Sequence, residues 1–186
     1  MYNPYMVSKQ IYLRHPTEED VQGSWHEWFS DEEITKFMGD RSWPNSKEAQ
    51  LEFYKSLIDS RDRLALSIVA KSNDKHIGVI SLSGINWVHR YADIALAIGE
   101  RECRKGPLAA EAFALMLRAA FLRLNLLNVK SSYCSSNINS EALHRLFKFK
   151  RVGKYENLLS IDGQFENVII EILDRESWLK RNMRND

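Results

Sequence analysis

The spacing of apolar and polar positions changes character along the chain. Residues 11–14 read as a short strand. Glu18, Glu19 and Asp20 then place acidic groups where the first turn of a helix favours them, and Val21, Trp25 and Trp28 share one helical face over 21–29. Ser30 and Asp31 are positioned to cap a second short helix ending near Met38. Leu51, Tyr54 and Leu57 form the stripe of a third helix over 49–60. Beyond it the period shortens. Residues 65–70, 76–83 and 91–98 are expected as consecutive strands with short connections, an antiparallel meander, with Gly84, Ile85 and Asn86 marking a bulge or bend. A helix over 107–124 follows. It is apolar nearly all round and therefore expected to be buried, and Pro107 stands at its first turn, where a missing N–H costs nothing. A strand at 129–134, a helix at 140–147, strands at 152–159 and 167–173 around the Asp162-Gly163 turn, and a tail helix at 176–182 complete the reading. The fold class is α/β (α+β mixed): one domain over residues 1–186, with helices on both faces of a mixed sheet.

Composition narrows the function classes. With 186 residues, 44% apolar and 27% charged, the chain suits one soluble globular domain. Lys and Arg total 26 against 25 for Asp and Glu, so no overall basic field favours nucleic acid. The two cysteines, Cys103 and Cys134, make no disulfide framework and lack metal-ligand spacing, and no metal site is expected. Residues 1–10 have no apolar signal core, and the apolar run 107–127 is interrupted by Glu111, Arg118 and Arg123. A cytoplasmic protein without a membrane partner is expected.

The chemistry concentrates between residues 98 and 112. A strand ends at Ile98-Gly99, a basic, glycine-containing loop follows, and a helix begins after Pro107. A helix N-terminus exposes unpaired N–H groups and partial positive charge, which suits a phosphate or pyrophosphate. Gly106, Leu108, Ala109 and Ala110 are expected to bring backbone to the ligand, with Arg104 and Lys105 as cationic partners. Strand, loop and helix with a glycine is also a common plain connection. A second segment, Asn137 through Ser140 to Phe149, leads from a strand through a polar loop into a short amphipathic helix.

The order of these elements resembles the GNAT acetyltransferase fold. The motifs look like its branch named for ribosomal-protein acetyltransferases (RimJ/RimL-like), with spermidine and amino-sugar acetyltransferase relatives. Arg104 and Ala109 fall at the first and last positions of that branch's pyrophosphate loop, with Pro107 where a glycine is usual and Gly106 one residue early. Asn137, Ser140 and Phe149 match its second motif, with Lys148 in place of glycine. The resemblance spans nearly the whole chain. It implies a mostly antiparallel central sheet with a V-shaped splay, acetyl-CoA as co-substrate, pantetheine held by backbone at Ala97, Ile98 and Gly99, and direct attack of an amine on the thioester. It also implies a primary-amine acceptor (amino sugar, polyamine or protein N-terminus) and the possibility of a homodimer.

The same resemblance suggests side-chain roles. His144 stands where many GNAT enzymes place a tyrosine that protonates the CoA sulfur, and a structural role is the alternative. Asp93 stands where relatives carry a glutamate facing the acceptor, so it is a candidate base or ammonium partner, or else a solvated strand residue. Trp87 and His89 lie in a segment similar to one in polyamine and amino-sugar enzymes, either contacting substrate or closing a loop. Trp28 either lines the acceptor pocket or packs the core. Two competing functions remain at this level: a GNAT-fold acyl-CoA-binding module without efficient turnover, and a phosphate-binding protein. The latter lacks a Walker-type or dinucleotide fingerprint.

Overall fold

The computed structural model describes residues 1–39, 43–104 and 106–182. The chain opens with a hairpin of β1 (Pro4–Val7) and β2 (Ile11–Arg14). A helical segment follows, α1 (Glu18–Asp20), a π turn (Val21–Trp25) and α2 (His26–Trp28). Next come α3 (Glu32–Thr35) and α4 (Lys47–Ile58). The meander is β3 (Leu64–Ala70), β4 (Lys75–Asn86) and β5 (Tyr91–Ile98). A 3-10 turn at Arg101–Cys103 leads to α5 (Leu108–Arg118), which ends in a π turn at Ala119–Arg123. Then come β6 (Asn128–Cys134), α6 (Ile138–Phe147), β7 (Lys150–Ile161), β8 (Gln164–Asp174) and α7 (Arg175–Asn182).

The eight strands form one sheet in the order β1-β2-β3-β4-β5-β6-β8-β7. Neighbours are antiparallel except β5 and β6, which run parallel and pair only at Tyr91–Asn128, Ala92–Val129 and Asp93–Lys130. Past Asp93 the two strands part. Although β5 is central in the sheet, Ala95 is exposed and Leu96, Ala97 and Ile98 are only half-buried. The expected V-shaped splay is therefore present, closed at Tyr91 and open toward Ile98 and Cys134.

Strand alternation sends side chains to two cores. The larger packs Leu66, Ile68, Ile80, Leu82, Ala92 and Ile94 against Phe113, Met116, Leu117 and Phe121. The smaller joins Ala65 and Val79 to Val21, Trp25, Trp28 and Leu57 on the opposite face. Helix α4 starts at Lys47 rather than 49 because the Ser46 hydroxyl accepts from Ala49 N. Gly84, at φ +56°, accommodates the bulge where the β4–β5 register shifts between Ser83 and Asn86. Strand β1 was not expected. Its single buried residue, Met6, leaves no period to read. Among the described residues no helix is long and apolar enough to cross a membrane.

Candidate functional site

The open mouth of the splay lies at the end of β5. There Gly99 N and Glu100 N both donate to Ile77 O, at 2.9 and 3.2 Å, which turns the chain away from the sheet. Gly99 is buried, and a Cβ on it would overlap the Trp28 indole. Trp28 is itself 6% exposed and packs edge-on to His76 at 4.8 Å. Trp28 therefore backs the end of β5. The 3-10 turn then leads to Gly106 at φ +109°, a conformation that glycine adopts without strain.

Pro107 is the N-cap of α5, and no side chain caps the helix. The first-turn N–H groups of Leu108, Ala109 and Ala110 have no intrahelical partner by helix geometry, and all three residues are half-buried rather than covered. Glu111 does not compete for them. Its carboxylate accepts from Ser8 Oγ (2.6 Å), Gln10 N (2.9 Å) and Gln10 Nε2 (2.8 Å), anchoring the start of α5 to the β1–β2 turn. Burial opposes its ionisation, but these bonds win and hold the carboxyl below its ordinary pKa.

Arg104 sits at this loop but points back. Its guanidinium donates to Ile98 O (3.3 Å) and Gly99 O (3.2 Å) and pairs with Glu33 at 3.1 Å. Arg101 pairs with Asp31 and Glu33, both at 3.2 Å. The acidic start of α3 thus holds both arginines, a link sequence spacing could not reveal because about 70 residues intervene. Lys105 lies outside the described residues.

On the other wall, Asn137 caps α6, its Oδ1 accepting from Ser140 N at 3.1 Å. The Asn137–Ser140 motif thus aims the start of α6 at the end of β6. The Ser131 hydroxyl bridges the closed part of the splay by donating to Ile94 O at 3.3 Å.

The structure distributes the remaining expected residues unevenly. Asp93 is at the closed end, half-exposed and paired with Lys130 Nζ at 3.1 Å. His144 is 3% exposed, its Nδ1 3.1 Å from Glu171 Oε2. Burial lowers the His144 pKa to about 4. Tyr133 donates to the other Glu171 oxygen at 3.2 Å, and burial beside that carboxylate raises the phenol to about 12. Trp87 and His89 are not brought to the mouth. They occupy the β4–β5 turn at the start of β5, roughly 25 Å from its end at strand rise. There the Trp87 indole N–H donates to Arg61 O at 2.6 Å, and the His89 ring stacks on Tyr91.

Sequence reasoning missed a buried cluster behind the mouth. Arg14 donates twice to Asp20 at 2.7 Å, Ser67 Oγ and Thr17 N donate to the same carboxylate, and His76 Nδ1 lies 3.3 Å from it. Burial opposes ionisation of Asp20, but Arg14 and the other donors prevail and lower its pKa. Burial drives His76 down to about 4. Among the described residues no group of His, Cys, Asp and Glu could hold a metal.

The sheet is parted between two parallel strands, and the helix that follows the first of them has no side-chain cap at its N-terminus. A family comparison makes this specific. The acetyltransferase (GNAT) domain matches residues 10–150, and the chain belongs to that family: it is a GNAT-family N-acetyltransferase whose donor is acetyl-CoA. Solved structures agree on the fold. Spermidine N-acetyltransferase from Vibrio cholerae, in complex with CoA and spermine, is 20% identical at a TM-score of 0.85, covering 92% of this chain and 99% of its own. A GNAT-family acetyltransferase from Bacillus anthracis is 13% identical at 0.79, covering 92% and 98%. A probable acetyltransferase is 19% identical at 0.81, covering 94% and 98%. No curated protein sequence matches the chain.

Proposed function

We propose that the protein transfers acetyl from acetyl-CoA to a small primary amine by direct attack, and that it belongs to the RimJ/RimL-like branch. The observation that carries this reading is the splay between β5 and β6 with the uncapped α5 N-terminus at its mouth. Pantetheine can lie along Ala97, Ile98 and Gly99, its amides meeting the Ile98 N–H and C=O, which face the gap, once Arg104 leaves the Ile98 carbonyl. The pyrophosphate then meets the N–H groups of Leu108, Ala109 and Ala110. Arg104 and Lys105 contribute positive charge at that loop, and Asn137 and Ser140 set the opposite wall.

The acceptor class follows from the family chemistry, since an unprotonated amine attacks a thioester without an acyl-enzyme. Polyamines are the first acceptors to try, because the Vibrio cholerae neighbour holds spermine. Amino sugars and peptide N-termini come next. Asp93 lies on the face of β5 opposite Ile94, where it can pair with an incoming ammonium once Lys130 is displaced. The test is calorimetric titration with acetyl-CoA, followed by thiol release with each amine class. Binding with release for one class supports the reading and selects the acceptor. Absence of acetyl-CoA binding overturns the donor site.

A further inference from the structure

The following rests on the acetyl-transfer reading above and concerns the acceptor. Asp93 and Lys130 are the last residues that β5 and β6 pair before the strands part. A donor lying along β5 from Gly99 therefore brings its acyl end toward them. This vertex has two faces. On one, Ile94 belongs to the larger core and Ser131 is buried. On the other, Ala95 and Ser132 are exposed, and the Asp93 and Lys130 side chains are 49% and 39% exposed. An acceptor reaches the vertex from the Asp93–Lys130 face.

Register extends that face over five strands, because paired residues point the same way. Ser83 of β4, Asp93 of β5, Lys130 of β6, Ile172 of β8 and Lys150 of β7 stand in one row. The row toward the closed end holds Tyr91, Asn128 and Asp174. On the mouth side, Ser81 beside Ala95 and Ser132 beside Ile170 are neutral. Both carboxylates in these rows carry a lysine. Lys130 Nζ lies 3.1 Å from Asp93 Oδ2, and Lys150 Nζ lies 3.3 Å from Asp174 Oδ2. These rows thus offer a polycation no carboxylate that is not already paired.

Lys130 is placed to exchange its partner. Its ammonium lies 4.7 Å from the centre of the Tyr91 ring, a contact that keeps it at the vertex whichever anion it meets. An ammonium has three N–H donors, and a half-exposed ion pair contributes little to stability, so a second anion competes readily. An acceptor with an ammonium and a carboxylate a few bonds apart satisfies both residues, its ammonium on Asp93 and its carboxylate on Lys130. A polyamine must instead push Lys130 off Asp93 and sit beside that uncompensated charge.

We propose that Lys130 selects the acceptor, and that the acceptor is a primary amine carrying a nearby carboxylate, of the amino-acid class, in preference to a polyamine.

Thiol release at saturating acetyl-CoA tests this with free amino acids, the amides of the same amino acids, and spermidine. The best amino acid is expected to exceed both its amide and spermidine in kcat/KM by about five- to tenfold, the scale of one half-exposed ion pair. Lys130→Gln should bring the acid-to-amide ratio within about twofold of one, and Lys130→Arg should retain it, with KM for acetyl-CoA unchanged within about twofold in both. The change of that ratio between enzymes isolates the charge, because the basicity of each amine is common to them. Spermidine preferred over every amino acid, release with another amine class alone, an acid no better than its amide, or a ratio unchanged by Lys130→Gln each overturns the proposal and leaves acetyl transfer standing. Acetyl-CoA binding without release for any amine overturns the acetyl-transfer reading and the proposal with it.

Discussion

The indole of Trp28 lies against Gly99 with no room for a single methyl group between them. Trp28 comes from α2 and Gly99 from the end of β5, so this contact sets how the mouth of the splay meets the opposite face. Gly99→Ala forces the indole or the strand end to move. Overpacking of this kind costs about 1–3 kcal/mol. We expect a lower melting temperature together with weaker acetyl-CoA binding, measured by thermal unfolding and calorimetry. Wild-type values for both would show that the contact is soft.

Arg104 ties the donor loop to α3 through Glu33 while standing beside the proposed pyrophosphate position. Arg104→Glu places two carboxylates together there and repels the incoming phosphates. Acetyl-CoA affinity should fall about tenfold or more, equivalent to about 1.4 kcal/mol. The loss should shrink at high salt, since exposed charges are screened. Calorimetric titration at two ionic strengths checks both points.

Glu111 bonds the start of α5 to the β1–β2 turn through three acceptor contacts. Hydrogen bonds to a charged group contribute about 1.5–3 kcal/mol each when buried, and partial exposure discounts this. Glu111→Ala should destabilise the protein by about 1–2 kcal/mol in urea unfolding. Ser8→Ala, which removes one of the three donors, should cost a fraction of that.

Stability should fall as solutions are acidified from about pH 6.5 to about pH 4. His76 and His144 are both depressed to about 4 by burial, against an unfolded value near 6.5. Above the unfolded value neither state binds the proton, and the stability is fully present. Between the two values the unfolded chain takes up protons that the folded protein refuses, so stability declines with falling pH. Below that window Asp20 adds a further loss. Its folded pKa lies under the unfolded one, and its contribution disappears as pH drops through the folded value. Thermal unfolding across pH 8 to 3 measures the slope, and replacing His76 with glutamine should flatten it.

The legibility of these features followed the range of the interactions that define them. The β5–loop–α5 segment was readable because strand alternation, Gly106 and Pro107 are local signals within about ten residues. Strand β5 at 91–98 has the expected bounds, and the α6 cap at Asn137 acts over three residues. What the side chains do was harder to read. The Arg104 side chain was expected at phosphate and instead meets Glu33, on a segment far away in sequence. Asp93 was expected to be available and is paired with Lys130, a neighbour created only by the parallel register of β5 and β6. His144 could be singled out by position, but its partner Glu171 lies on a strand 27 residues later. Trp87 and His89 were expected either to contact the acceptor or to close a loop, and the structure places them in the β4–β5 turn, at the opposite end of β5 from the donor loop.

The short parallel pairing of β5 and β6 has a consequence for how the molecule holds together. Strands β1–β5 form one antiparallel block and β6–β8 another, and in the sheet only three residue pairs join them. The donor, lying along the unpaired edges, would act as a missing strand that seams the two blocks. Amide protons of Leu96 and Ile98, which face the gap, should then exchange quickly with solvent in the free protein and slowly when acetyl-CoA is bound, while those of Ala95 and Ala97 point to β4. The substrate would thus also serve as a structural member of the sheet.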